Sequence, residues 1–223
     1  MLYIFTTCAL NFVPCAKILA KSVRETMPDA RMVLALSDRK PNGFRLEDEG
    51  FDEVLYLDDF IDRIENPLGW AFGHTIMELA TALKPFTAAK LMERDDCDAV
   101  MFFDPDCVVL EPMEEMRAAL QEHSVLLTPH ASDLHENDKW TFFEKNQLKV
   151  GAFNLGFFAL RNSEEGRAVA SWWRHRLKEG CVIDPSEGLF TDQKWMDLLP
   201  CYTNDLKVMR QPHYNVARWN TFQ

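Results

Sequence analysis

Short, continuously apolar blocks alternate with amphipathic stretches along the first half of this chain. Leu2 to Thr6 reads as a strand, followed by a polar turn at Thr7 to Asn11. Pro14 suits the first turn of a helix, and Cys15, Ile18, Leu19, Ser22 and Val23 recur at the spacing of one helical face. Met32 to Leu36 predicts a second buried strand ending at Ser37-Asp38, and Glu53 to Leu57 a third, shorter one. Strand, helix, strand, connection, strand is the rhythm of a parallel, doubly wound sheet.

A helical region follows from about His74 to Arg94, with Pro85 inside it expected to kink or split it. Val100 to Phe103 is apolar without interruption and predicts a strand buried on both faces. A helix after Pro112 reaches about Glu122, and Ser124 to Thr128 is the next strand. From Pro129 to Val150 periodicity is lost, which predicts a long loop, functional or mobile. Asn154 to Leu160 restores a strand. Ser163 is placed to cap a helix whose first turn carries Glu164 and Glu165, with Gly180 expected to close it. A short helix over Asp192 to Leu199 and a last strand near Lys207 to Arg210 complete the pattern. The expected architecture is α/β: a single Rossmann-like domain over 1–223, with a central, mostly parallel sheet flanked by helices.

Composition narrows the function. A chain of 223 residues that is 47% hydrophobic buries a substantial core, while a net charge of −11 disfavours a nucleic-acid partner. No apolar run approaches a transmembrane segment, and Met1-Leu-Tyr-Ile-Phe-Thr lacks the basic start of a signal peptide. The six cysteines show no C-x-x-C spacing. They read as reduced thiols in a cytoplasmic protein, not as a zinc site or disulfide framework. The chain stops at Asn220-Thr-Phe-Gln223 without a polar tail, as a C-terminally truncated piece of a longer protein would.

The chemistry concentrates where the fourth apolar block empties into Asp104-Pro-Asp106. Ligands of open α/β sheets bind at the C-terminal ends of the strands. Two carboxylates there offer hard oxygens to Mn2+ or Mg2+, which in turn neutralises a phosphate-bearing ligand. Strand-ending, loop-capping aspartates are the plainer alternative. Asp96-Cys97-Asp98 has the same spacing, but it precedes the strand and reads as a solvated turn. Thr6, Thr7 and Asp38 lie at the same predicted edge and would line a nucleotide pocket, although they are also ordinary turn residues. Lys84, on a mostly apolar helix face, is either a point charge for a diphosphate or a snorkelling lysine. Asn154 offers donors and an acceptor to sugar hydroxyls. Asp192, a good N-cap residue, stands beside Gln193, and the two together are candidates to approach a reacting carbon. His130 and His135 are further ligand candidates.

The order of these pieces resembles bacterial nucleotide-sugar glycosyltransferases of the GT-A fold and, more distantly, the retaining galactosyl- and glucosyltransferases related to glycogenin. The resemblance rests on Lys17-Ile-Leu-Ala-Lys-Ser22, Glu78-Leu-Ala-Thr-Ala-Leu-Lys-Pro-Phe86, Phe103-Asp-Pro-Asp-Cys107, Asn154-Leu-Gly-Phe157, Trp172-Trp173, Gly188-Leu-Phe-Thr-Asp-Gln-Lys-Trp195 and Tyr214-Asn-Val-Ala-Arg-Trp-Asn220. It implies a divalent ion, commonly Mn2+, on Asp104 and Asp106 between the phosphates of a nucleoside diphosphate sugar, UDP being the expected nucleotide. Thr6, Thr7 and Asp38 would line base and ribose, and Lys84 would sit near the phosphates or donor sugar. Asn154 would bind the donor, and Asp192 and Gln193 would face the anomeric carbon. A saccharide or other acceptor would receive the sugar, with retention favoured slightly over inversion. Relatives of this layout add a metal ligand, often His, near their C-terminus. Here no such segment follows, and His213 is a poor substitute by order. A catalytically silent binding domain and a nucleotidyltransferase are the alternatives, although Thr6 to Asn11 lacks the Gly-rich, basic loop the latter would want.

Overall fold

A computed structural model describes residues 1–41, 43, 45–214, 216 and 217. Seven strands form one sheet: β1 (Leu2–Cys8), β2 (Arg31–Leu36), β3 (Glu53–Leu55), β4 (Ala99–Phe103), β5 (Val125–Pro129), β6 (Phe153–Arg161) and β9 (Leu206–Val208). Their order is β3-β2-β1-β4-β6-β5-β9. β6 alone runs against its neighbours β4 and β5, while the other pairings are parallel. A hairpin of β7 (Ile183–Asp184) and β8 (Leu189–Phe190), absent from the sequence reading, stands apart.

Helices cover both faces of the sheet, as a parallel sheet with apolar faces requires. The longer ones are α1 (Val13–Thr26), α3 (Ile76–Met92), α4 (Glu114–Glu122), α5 (Asp138–Val150) and α6 (Glu164–Gly180). Among the described residues, short helices α2 (Pro67–Phe72), α7 (Gln193–Met196) and α8 (Leu199–Tyr202) complete the set. α1 and α4 pack on one face over Ile4, Met32, Leu34, Met101 and Ala159. α3 and α6 pack on the other, where Phe5, Phe102, Phe158 and Trp173 form the core. Their ring centroids lie 4.9 to 5.8 Å apart, within the range of favourable aromatic pairs.

Several expectations change. The Pro129 to Val150 stretch is not one loop, because α5 occupies its second half, capped by the Asn137 side chain accepting from the Trp140 N–H. Pro85 does not split α3, which runs unbroken from a Thr75–Glu78 capping box to Met92. β1 continues through Thr6 and Thr7 to Cys8, so the expected turn begins later, as a 3-10 turn at Leu10–Phe12. The short helix expected over Asp192 to Leu199 is two four-residue helices, and the last strand ends at Val208. Ser163 does cap α6, accepting from the Gly166 N–H at 3.1 Å. Gly180, however, is the last residue of α6 and has no left-handed backbone. It is small because a Cβ there would meet the Trp195 ring at 2.7 Å.

Candidate active site

β4 ends in a tight turn: the Cys107 N–H donates to the Asp104 carbonyl at 3.0 Å, with Pro105 and Asp106 between them. Pro105 presets the backbone of its own position there. Side chains alternate along a strand, so Asp104 continues the face of Val100 and Phe102, the face that α3 covers. Lys84 meets it there. Its Nζ lies 3.3 Å from Asp104 Oδ1 and 3.0 Å from Asp192 Oδ2, donates to the Leu155 carbonyl at 2.9 Å, and sits 4.4 Å from the Phe102 ring centroid. Leu155 is available because β5 and β6 lose register between the Leu127–Phe158 and Thr128–Asn154 pairs.

Electrostatics follow from burial. Desolvation alone would depress Lys84, but Asp104 and then Asp192 outweigh it and hold the ammonium above its ordinary value. Burial raises the Asp104 carboxyl. Lys84 opposes that rise, and Asp192 and Asp106 add to it. Two carboxylates thus share one ammonium, and the Asp106 charge close to Asp104 leaves an excess of negative charge at the strand end. Cys107, beside them, is pushed up to about 12 by burial and by the charges of Asp104 and Asp106.

Asp192 does not act as a side-chain N-cap of α7. It is buried, its Oδ1 accepts from the Thr191 hydroxyl at 3.2 Å, and its carbonyl accepts from the Trp173 indole at 3.3 Å. Gln193 turns elsewhere, its Nε2 donating to the Val150 carbonyl at 2.8 Å. Asn154 reaches this edge because β6 runs antiparallel, which puts its first residues beside the end of β4. Its Oδ1 accepts from the Gly156 N–H at 2.8 Å. Asn154 and Gly156 line a cleft of about 1010 Å3 together with Asp104, Asp106, Tyr214 and His213.

The remaining candidates scatter. Thr6 and Thr7 are buried within β1 and point to opposite faces, and among the described residues neither hydroxyl has a hydrogen-bond partner. Asp38 accepts from the Leu10 N–H at 2.7 Å and lines a smaller cavity of about 340 Å3 with Ala9, Asn11, Ser37 and Leu79. Sequence reasoning missed Ser37 and Leu79 there, although Ser37 stands at the same strand end as Asp38. His130 is buried and held below its ordinary value by desolvation, and exposed His135 packs on the Trp140 ring at 4.1 Å. Neither enters the Lys84 cluster. The twin Asp96 and Asp98 are exposed at the opposite edge of the sheet, where Asp98 pairs with the N-terminal ammonium.

The residues fit a hard divalent ion by chemistry: Asp104 and Asp106 offer only oxygen donors, and Asp106 is exposed. Among the described residues, no three His, Cys, Asp or Glu side chains gather closely enough to hold a metal together. Asn215 and Arg218-Trp219-Asn220 of the resemblance lie outside the described residues.

Comparison with solved structures decides the fold. Mouse xyloside xylosyltransferase 1 in its apo form superposes with a TM-score of 0.52 at 11% identity, over 93% of this chain and 84% of that one. The galactosyltransferase LgtC, in complex with donor and acceptor sugar analogs, gives 0.53 at 17% identity over 93% and 73%. The chain has the GT-A glycosyltransferase fold. The same GT-A sheet also matches a 4-diphosphocytidyl-2C-methyl-D-erythritol synthase from Anaerococcus prevotii, with a TM-score of 0.50 and 13% identity over 93% and 85%. No protein-family model matches. An uncharacterized protein of Bacillus subtilis, YfnF, is 30% identical over 83 residues, which are 35% of this chain and 27% of that protein's length. Among the described residues, no helix of this GT-A chain is long and apolar enough to cross a membrane.

Proposed function

We propose that the chain is a cytoplasmic, metal-dependent glycosyltransferase that moves a sugar from a nucleoside diphosphate donor, a UDP-sugar, to a saccharide or other acceptor with retention of configuration. One observation carries the reading: on this fold, Lys84 gathers Asp104 and Asp192 at the C-terminal edge of the parallel strands. That juxtaposition joins a group suited to the leaving diphosphate to a group suited to the reacting carbon. Asp104 and Asp106 would hold Mn2+ or Mg2+, which when bound neutralises the departing diphosphate. Asp192 is assigned to the anomeric carbon, where its buried carboxylate opposes the positive charge developing in an oxocarbenium-like transition state. Lys84 holds that carboxylate in place. Asn154, in the cleft beside Asp104, would bind sugar hydroxyls. Thr7 and Asp38 sit towards the β1 and β2 ends, on the nucleotide side, with Thr6 on the other face. Gln193 is tied to Val150, so we assign it to holding α5.

Nucleotidyl transfer is a second reading, supported by the likeness to the erythritol synthase. Turnover of a UDP-sugar panel and, separately, of nucleoside triphosphates with a sugar phosphate, each with and without Mn2+, separates the two, because the products differ. Glycosyl transfer or donor hydrolysis releases UDP, whereas nucleotidyl transfer from a triphosphate releases pyrophosphate. Asp106→Asn should abolish Mn2+-dependent UDP release. Unchanged turnover in that variant, or pyrophosphate release without UDP release, would sink the reading.

A further inference from the structure

Thr191 is buried, β-branched and left-handed, with φ +46°. A bulky residue avoids that region unless its surroundings enforce it, because the Cβ crowds the backbone. Three contacts enforce it here. The Thr191 N–H donates to the Val182 carbonyl at 2.9 Å, anchoring the turn to the residue just ahead of β7. The Thr191 hydroxyl donates to Asp192 Oδ1 at 3.2 Å. The Trp173 indole, a fully buried side chain of α6, donates to the Asp192 carbonyl. The next residue pays no attention to the helix it precedes: Asp192 makes no side-chain cap, and its other oxygen faces Lys84.

We infer that Thr191 is a positioning residue. Its left-handed turn swings Asp192 off the N-terminus of α7 into the Lys84 cluster, and its hydroxyl holds one carboxylate oxygen so that the other meets the ammonium. Strained backbone concentrates at sites where surrounding structure over-determines a geometry that function uses. The inference rests on the assignment of Asp192 to the reacting carbon, and two independent readouts keep the questions separate.

The first is kinetic. Thr191→Val preserves shape and β-branching but removes the hydroxyl. With UDP-glucose or UDP-galactose and Mn2+, kcat should fall roughly 10- to 100-fold, the range for losing a hydrogen bond to a charged group, while donor KM stays within about twofold. Thr191→Ser, which keeps the hydroxyl, should restore kcat. The second readout is a thermal double-mutant cycle on the full chain, which needs no activity. Thr191→Val should lower the midpoint by roughly 5 °C in the parent chain but by much less in an Asp192→Ala background. Equal losses of midpoint in both backgrounds, or parent-like kcat in Thr191→Val, would overturn the inference. If the parent turns over no sugar nucleotide at all, the glycosyltransferase reading fails and the thermal cycle alone decides whether Thr191 positions Asp192.

Discussion

α3 and α5 are both capped helices of three turns or more, yet they belong to different worlds. α3 buries Leu79, Leu83, Lys84, Phe86 and Leu91 against the sheet, whereas none of the thirteen residues of α5 is buried. Phe142 and Leu148 of α5 stand largely in solvent, at 79% and 76% exposure. What the contrast teaches is where a precise site can be built. A lysine on α3 is fixed by the packing on every side of it, so it can hold two carboxylates at hydrogen-bond range. A residue on α5 has no such frame, and α5 is tied to the rest by contacts such as Gln193 to Val150 and Lys194 to the Leu148 carbonyl.

The contrast can be broken most severely at Lys84. Lys84→Met should cost about 3–5 kcal/mol, because it strands a buried carboxylate without its partner. At this chain length that is roughly a 10 °C fall in the thermal midpoint. Adding Asp192→Asn should return much of the loss. If Lys84→Met alone leaves the midpoint unchanged, the ion pairs are not what orders this end of α3.

The caps sharpen the comparison next. Thr75→Ala removes half of a capping box on a helix that is part of the core and should cost about 1 kcal/mol in global denaturation. Asn137→Ala removes the matching bond on α5, and its effect should appear as faster amide exchange confined to α5. Equal global costs would mean that α5 folds with the core.

Charge gives a smaller effect with a definite sign. Asp104 holds its proton more tightly folded than unfolded, so the folded state binds more protons between those two values. Its contribution to stability therefore falls as pH rises through that window and stays reduced above it. Asp106→Asn removes one of the charges responsible and should raise the midpoint by about 2 °C at pH 7. The gain should shrink as pH falls and Asp104 takes up its proton. A gain that does not shrink would come from something other than repulsion. Least of all, Phe142→Glu on α5 should change stability by no more than about 0.5 kcal/mol. A larger loss would show that α5 packs more than its exposure indicates.

The legibility of the chain tracks burial. α3, β4 and the Asp104-Pro-Asp106 turn were readable because burial on both faces of a parallel sheet demands continuous apolar runs, and polar residues at their ends stand out. α5 was not, because a helix that buries nothing need not show an apolar stripe. The likeness of Asp104-x-Asp106 to Asp96-x-Asp98 was also resolved in the sequence, by which end of the strand each one occupies. What the sequence alone determined, then, was the order of elements, the sheet class and the edge where chemistry would gather. Tertiary structure decided the rest. The antiparallel course of β6 carries Asn154 to the site edge, alternation along β1 sends Thr6 and Thr7 to opposite faces, and the left-handed Thr191 turns Asp192 from a cap towards Lys84. The first and last depend on strand direction or a single backbone angle and the second on how far β1 extends, none of which local composition encodes.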